Sequence, residues 1–158
     1  MKVSKITLDA IDRRILQYLQ QHGRASTADL AAAAKLSPSP CWRRVKALED
    51  AGVISRYVTL VDPKAVGLSV NVFVNVSLST QVESALEVFE KAVLQRPEVM
   101  ECYLMTGDAD YLLRVVMPDL GAYERFLMDH LTRVPGVASI KSSFALRAVK
   151  YRTDLPVV

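Results

Sequence analysis

A chain of 158 residues, 51% of them apolar, is long enough for one medium core or two small ones and too apolar to remain disordered. No apolar run approaches the ~20 residues of a membrane helix, and two widely spaced cysteines, Cys41 and Cys102, suggest neither a disulfide framework nor a zinc site. The net charge of +3 is unevenly divided: residues 1–66 hold eleven Lys/Arg against six Asp/Glu, a net +5, while residues 67–158 hold nine against eleven, a net −2, which predicts a polyanion-facing module joined to one of another kind.

The opening stretch, Met1 to Ile6, is short and polar and does not resemble a signal peptide, so a cytoplasmic protein with no membrane partner is expected. Leu8, Ile11, Ile15, Tyr18 and Leu19 then recur at helical spacing, with Asp9 and Asp12 early in the helix, where its dipole favours carboxylates. Gly23 is placed to end this helix in a left-handed cap. Ser26 or Thr27 can cap a second, short helix through Leu30 to about Ala34, and its run of alanines lets another helix approach closely. Leu36-Ser37 is the turn. A third helix is expected from Ser39 to about Ala51, with Ser39 as N-cap and Pro40 at the first helical position, and Gly52 stops it. Residues 53–61 read as extended, Asp62-Pro63 breaks the run, and Gly67 closes a linker.

Beyond the linker, Val70, Val72, Val74, Val76 and Leu78 alternate with Asn71, Phe73, Asn75 and Ser77, a strand with two unlike faces. A helix carrying Val82, Ala85, Leu86, Phe89 and Val93 ends before Pro97. Val99–Thr106 and Tyr111–Met117 read as strands joined at Gly107-Asp108-Ala109-Asp110, a helix runs from about Asp119 to Arg133, and Pro135-Gly136 turns into a strand from Val137 to about Val149. The order β-α-β-β-α-β is the ferredoxin-like plan. The fold class is therefore α+β: a winged helix-turn-helix of three helices over residues 1–62, a linker over 63–67, and a ferredoxin-like domain over 68–158.

Two stripes run along the third helix. Cys41, Arg44, Val45 and Leu48 would face the small core, whereas Ser39, Trp42, Arg43 and Lys46 would face outward. The outer stripe suits a reading helix in the major groove: the helix start favours phosphate, a serine can bond a phosphate or a base edge, and an arginine can take guanine through two parallel hydrogen bonds. Charged stripes are commonly just solvated faces, but an exposed tryptophan wants a partner. Arg44, on the inner stripe, is expected to be structural or to clamp the backbone. Ser37, Arg24 and Arg56 complete the candidate DNA contacts, the last two as phosphate ligands. Cys41 reads as an inert buried thiol with redox sensing as the alternative, and His22 and His130 as helix-end or surface residues.

At this point the chain resembles the Lrp/AsnC family, the feast/famine regulators of prokaryotes. The resemblance rests on Leu8-Asp9-Ala10-Ile11-Asp12, Gly23-Arg24, Leu36-Ser37-Pro38-Ser39-Pro40-Cys41, Arg44-Val45, Leu48-Glu49 and Gly52-Val53-Ile54, then Pro97-Glu98-Val99, Thr106-Gly107-Asp108-Ala109-Asp110-Tyr111 and Pro135-Gly136-Val137, in the right order over nearly the whole chain. It implies that the back half binds an amino acid or related metabolite, that sheets of two subunits pack into a dimer, and that dimers assemble into tetramers or octamers. It also implies an effector between dimers, near Thr106, Gly107, Asp108, Asp110 and Tyr111, with Leu120 and the last-strand residues Ser142, Ser143 and Phe144. Some relatives have an aromatic residue at the place of Ser143. On the residues alone, an ordinary hairpin with Asp side chains capping its turn is the better reading; the resemblance reverses this and favours a site in which turn amides hold a carboxylate and Asp108 or Asp110 receives an ammonium.

The expected function is a homo-oligomeric DNA-binding transcription regulator tuned by an amino acid, with double-stranded DNA and itself as partners. The alternatives are a non-sensing architectural DNA-binding protein and a small ferredoxin-like enzyme. No catalytic constellation, metal-ligand spacing, phosphate loop or cofactor motif supports the last.

Overall fold

A computed structural model describes residues 7–157; the polar opening stretch, Met1–Ile6, lies outside the described residues. The chain divides into two units. The first runs to Leu60 and also takes in Lys150 onward; the second is Val61–Val149.

In the first unit, three helices form α1 (Ala10–Gln21), α2 (Thr27–Ala34) and α3 (Pro38–Asp50). Each of the first two begins with a reciprocal cap. Asp9 accepts from the amides of Ile11 and Asp12, both at 2.8 Å, while Asp12 accepts the Asp9 amide at 3.2 Å. Ser26 and Asp29 repeat the pattern on α2. Ile15, Leu16, Leu30, Cys41 and Leu48 meet in one apolar cluster, and Ala31 and Ala34 are small enough for α2 to lie close against both neighbours.

Three local expectations are corrected. Gly23 is not left-handed: α1 ends at Gln21, and a turn closed by the Ala25 amide on the His22 carbonyl (2.9 Å) takes over the helix end. Ser37, not Ser39, is the N-cap of α3, and its side chain makes no capping bond. Pro38 takes the first helical position and Pro40 the third, where neither missing N–H is needed. Residues 53–61 are the expected non-helical run, unpaired among the described residues and tied to α3 through Tyr57 Oη, which donates to Glu49 at 2.9 Å.

Lys35 carries the left-handed backbone (φ 57°) that closes α2, and the Leu36 amide donates to the Ala31 carbonyl at 2.9 Å. A side chain there costs about 1–2 kcal/mol, partly offset by the smaller chain entropy of a non-glycine residue when unfolded. Lys35→Gly should therefore stabilise the first unit by about 0.5 kcal/mol and raise its melting temperature by about 2–4 °C, read by circular dichroism.

In the second unit, β1 (Val70–Leu78), α4 (Glu83–Leu94), β2 (Val99–Leu104), β3 (Tyr111–Met117), α5 (Leu120–Asp129) and β4 (Val137–Phe144) follow the expected order. The sheet is β2-β3-β1-β4 with every neighbouring pair antiparallel, the ferredoxin-like arrangement. Register Val72↔Val115, Val74↔Leu113 and Val76↔Tyr111 puts one set of alternating residues against Phe89, Val93, Tyr123 and Phe126 of the helices. The other set, including Phe73, Leu112, Arg114 and Ser143, lies on the helix-free face, where Arg114 bonds Glu101 at 2.6 Å. Three elements are shorter than expected. Strand β2 ends at Leu104, not Thr106. Helix α5 stops at Asp129 because His130 leaves helical geometry, and a separate short turn follows over Leu131–Arg133. Strand β4 stops at Phe144, although the Ala145 amide still donates to the Asn71 carbonyl of β1 at 2.9 Å.

Residues 150–157 also depart from the expected assignment of 68–158 to one domain. From Lys150 onward they belong with the first unit, because Gln20 of α1 holds the backbone of Leu155 and Val157 joins the apolar cluster of the three helices. Among the described residues, no helix is long and apolar enough to cross a membrane.

Candidate functional site

The outer stripe of α3 is laid out as the spacing predicts. Ser37, Ser39, Trp42, Arg43 and Lys46 are exposed, with Trp42 at 59%, while Cys41 and Leu48 on the opposite side are buried. Burial raises the Cys41 thiol above its ordinary value, which argues against a reactive thiolate there. Lys46 Nζ sits 2.8 Å from Asp50 one turn later, an exposed pair that raises the ammonium pKa. Such pairs contribute about 0–1 kcal/mol and yield readily to a phosphate. Arg43 has no ion-pair partner among the described residues. The stripe thus presents an indole, a free guanidinium and an ammonium on one open face.

Arg44 stands apart from that face. Its Nη1 bridges Asp9 (2.8 Å) and Asp12 (2.7 Å), so it staples α3 to the capping box that starts α1. The Asp12 amide, with help from the Arg44 guanidinium, holds the Asp9 carboxyl below its ordinary value, and the two carboxylates raise the guanidinium in turn. Arg24, in the turn before α2, and Arg56, beyond α3, are exposed and unpaired among the described residues, and neither joins the stripe.

In the second unit, the six-residue run Thr106–Tyr111 turns β2 into β3. The Met105 amide donates to the Asp110 carbonyl at 2.8 Å, and Gly107 holds φ 121°, a region that a side chain rarely enters. Thr106, Gly107 and Asp108 are exposed. Asp110 is 9% exposed and fully engaged: one carboxylate oxygen accepts the Leu78 amide and the other the Gln81 side-chain amide, each at 2.6 Å. Tyr111 lies in the core with its ring 4.5 Å from Phe89; its hydroxyl donates to Glu90 at 2.9 Å, and burial pushes the phenol well above its ordinary value. Asp108 thus stays open to solvent while Asp110 and Tyr111 build the turn.

The remaining expected effector residues lie elsewhere. Strand β3 spans seven residues, about 20 Å, and Leu120 follows its far end, 62% exposed at the start of α5. Phe144 lies toward that same end, level with Val115, and its ring meets the Tyr123 ring edge-on at 5.3 Å; Ser142 sits mid-sheet, level with Leu113, with its Oγ 2.5 Å from Tyr123 Oη. Ser143 points to the opposite sheet face, beside Phe73. Within one chain the set is therefore spread out: the Gly107 turn is at one end of the sheet, Leu120 and Phe144 lie toward the other, and Ser142 and Ser143 fall between them on opposite faces. Gln81, Glu90 and Tyr123, which position members of the set, carry no motif of their own. Among the described residues no cluster of side chains is arranged to hold a metal ion.

Comparison with known proteins identifies two parts, the second of which extends past Lys150. Residues 8–55 match the winged helix-turn-helix DNA-binding family, and residues 71–155 match the Lrp/AsnC ligand binding domain. The chain is 47% identical over 150 residues to the Bkd operon transcriptional regulator of Pseudomonas aeruginosa, covering 95% of this chain and 98% of that one. It is 39% identical to the leucine-responsive regulatory protein of Klebsiella pneumoniae, over 95% of this chain and 92% of that one. A Neisseria meningitidis transcriptional regulator solved as a complex with L-Met superposes with a TM-score of 0.91 at 42% identity, covering 95% of this chain and 97% of that one.

Proposed function

The chain belongs to the Lrp/AsnC family of transcription regulators, and from that premise we propose that the outer face of α3 reads operator DNA while an amino acid, bound where copies of the second unit meet, tunes assembly or affinity. The family is one of regulators and not of enzymes. The observation that carries the DNA reading is the exposed Ser39–Trp42–Arg43–Lys46 stripe on a helix whose opposite side is core. Arg43 is the base reader, Ser37, Ser39 and Lys46 contact phosphate at the helix start and along its flank, Trp42 lies against sugar or a thymine methyl, and Arg24 and Arg56 add flanking phosphate contacts. Arg44 acts indirectly by fixing α3 against α1.

The L-Met bound by the Neisseria relative supports an amino-acid effector. The separation of the Gly107 turn from Leu120 and Phe144 supports a site shared between copies, because one chain does not bring them together. Asp108 is the carboxylate free to receive an ammonium, and the turn amides around Gly107 are placed for a carboxylate. The helix-free sheet face, with Phe73 exposed, is the surface we assign to dimer formation in the cytoplasm.

Titrating the full chain with the common amino acids tests this. An effector that binds only the folded assembly at about a hundred times its dissociation constant adds about 2.7 kcal/mol, which for a chain of this length raises the melting temperature by about 5–10 °C. Sedimentation should shift with the same amino acid. If none of them moves either readout, the sensing proposal fails and a purely architectural role on DNA takes its place.

A further inference from the structure

We propose that the crevice between α1 and the C-terminal segment is a second ligand site, selective for an organic carboxylate with an aliphatic body. The segment is held by a two-point clamp: Gln20 Nε2 donates to the Leu155 carbonyl at 3.1 Å, and the Leu155 amide donates to Gln20 Oε1 at 2.6 Å. Val157 is anchored in the apolar cluster of the three helices. Between helix and segment lies a cavity of about 710 Å³, all of whose lining belongs to the first unit, and which is within the range of small-molecule sites.

Its walls are of two kinds. Arg14 on α1 and Lys150 on the segment line it without a carboxylate partner among the described residues, whereas Arg152, also in the lining, is neutralised by Asp154. Arg14 Nε is buried with no acceptor. An orphaned charged donor of this kind is costly, and a carboxylate meeting the guanidinium edge through two parallel bonds is its natural complement. The other wall is Leu155, Pro156 and Val157, and Leu155 remains 73% exposed. Inorganic phosphate offers nothing to cover that apolar wall; an aliphatic acid does. The site shares no residue with the α3 stripe or the Gly107 turn. Because half of it is the C-terminal segment, ligand binding and docking of that segment strengthen each other by the same factor.

Saturation-transfer NMR on the full chain tests the site with isocaproate as probe. The isocaproate methyl groups should receive signal, isocaproamide should receive none, and inorganic phosphate at equal concentration should not displace the acid. Arg14→Gln with Lys150→Gln should weaken binding about a hundredfold, the loss of the guanidinium and the ammonium together. Lys150→Glu, on the segment and away from the helical core, gives the same direction should the double variant fold poorly. Equal signal from the amide, full displacement by phosphate, or isocaproate binding that survives Lys150→Glu in a folded chain would each overturn the proposal.

Discussion

Replacing Arg43 and Lys46 together by alanine removes specific operator binding and leaves the oligomer intact. A bidentate arginine–guanine contact is worth about 1–3 kcal/mol of discrimination, and a lysine–phosphate contact also contributes through counterion release. Together they amount to a loss of about a hundredfold to a thousandfold in affinity for the operator at moderate salt. The slope of log affinity against log salt should fall by about 0.9 for the one phosphate that Lys46 neutralises in the native chain. Neither side chain takes part in the apolar cluster, and the Lys46–Asp50 pair is exposed, so the fold does not depend on them. Fluorescence anisotropy with operator and scrambled duplexes measures the first effect, and sedimentation checks the second. Arg44→Ala supplies the contrast: it breaks the bridge to Asp9 and Asp12, so it lowers the melting temperature of the first unit as well as binding. A double variant that footprints like the native chain would place the reading face elsewhere.

The parts of this fold that were legible in the sequence are those whose causes are local. The carboxylates of Asp9 and Asp12 mark the start of α1, and Ser26 is one of the two caps the sequence offers for α2; the reciprocal bonds from Asp12 and Asp29 appear only in the structure. The alternation of Val70 to Leu78 likewise predicts a strand with one face buried, and the structure agrees. Where two local signals compete, spacing does not choose. Ser37 and Ser39 each precede a proline, and the position of α3 against Asp9 and Asp12, made by Arg44 from 32 and 35 residues away, selects the earlier start. The clamp of Gln20 on Leu155 spans 135 residues and uses a backbone amide and carbonyl, groups nearly every residue has, so no pattern announces it. For the candidate effector residues, the period of a strand already separates Ser143 from Ser142 and Phe144, but the division between the two sheet ends emerges only from the register of β1 with β3 and β4.

Asp108 and Asp110 look alike in the sequence, and the structure predicts that their substitutions part company. Asp110→Ala leaves the Leu78 amide, buried at the end of β1, with no acceptor, and frees the Gln81 side chain from its bond to the turn. Removing the acceptor from a buried amide costs about 1–3 kcal/mol, and a bond to a charged acceptor lies in the upper part of that range. A loss of about 2–3 kcal/mol in a unit of this size lowers its melting temperature by about 10–20 °C. Asp110→Asn should lose less than half as much, because its carbonyl oxygen still meets the Leu78 amide while Gln81 turns its own oxygen to the new NH₂ group. Asp108→Ala touches only solvent and should stay within about 0.5 kcal/mol of the native chain, yet it should blunt the melting-temperature rise produced by the amino-acid effector. Calorimetry of the three variants with and without that amino acid separates the roles. If Asp110→Ala melts with the native chain but no longer responds to ligand, the carboxylate serves the effector rather than the turn, and the assignment of Asp108 as the ammonium partner falls with it.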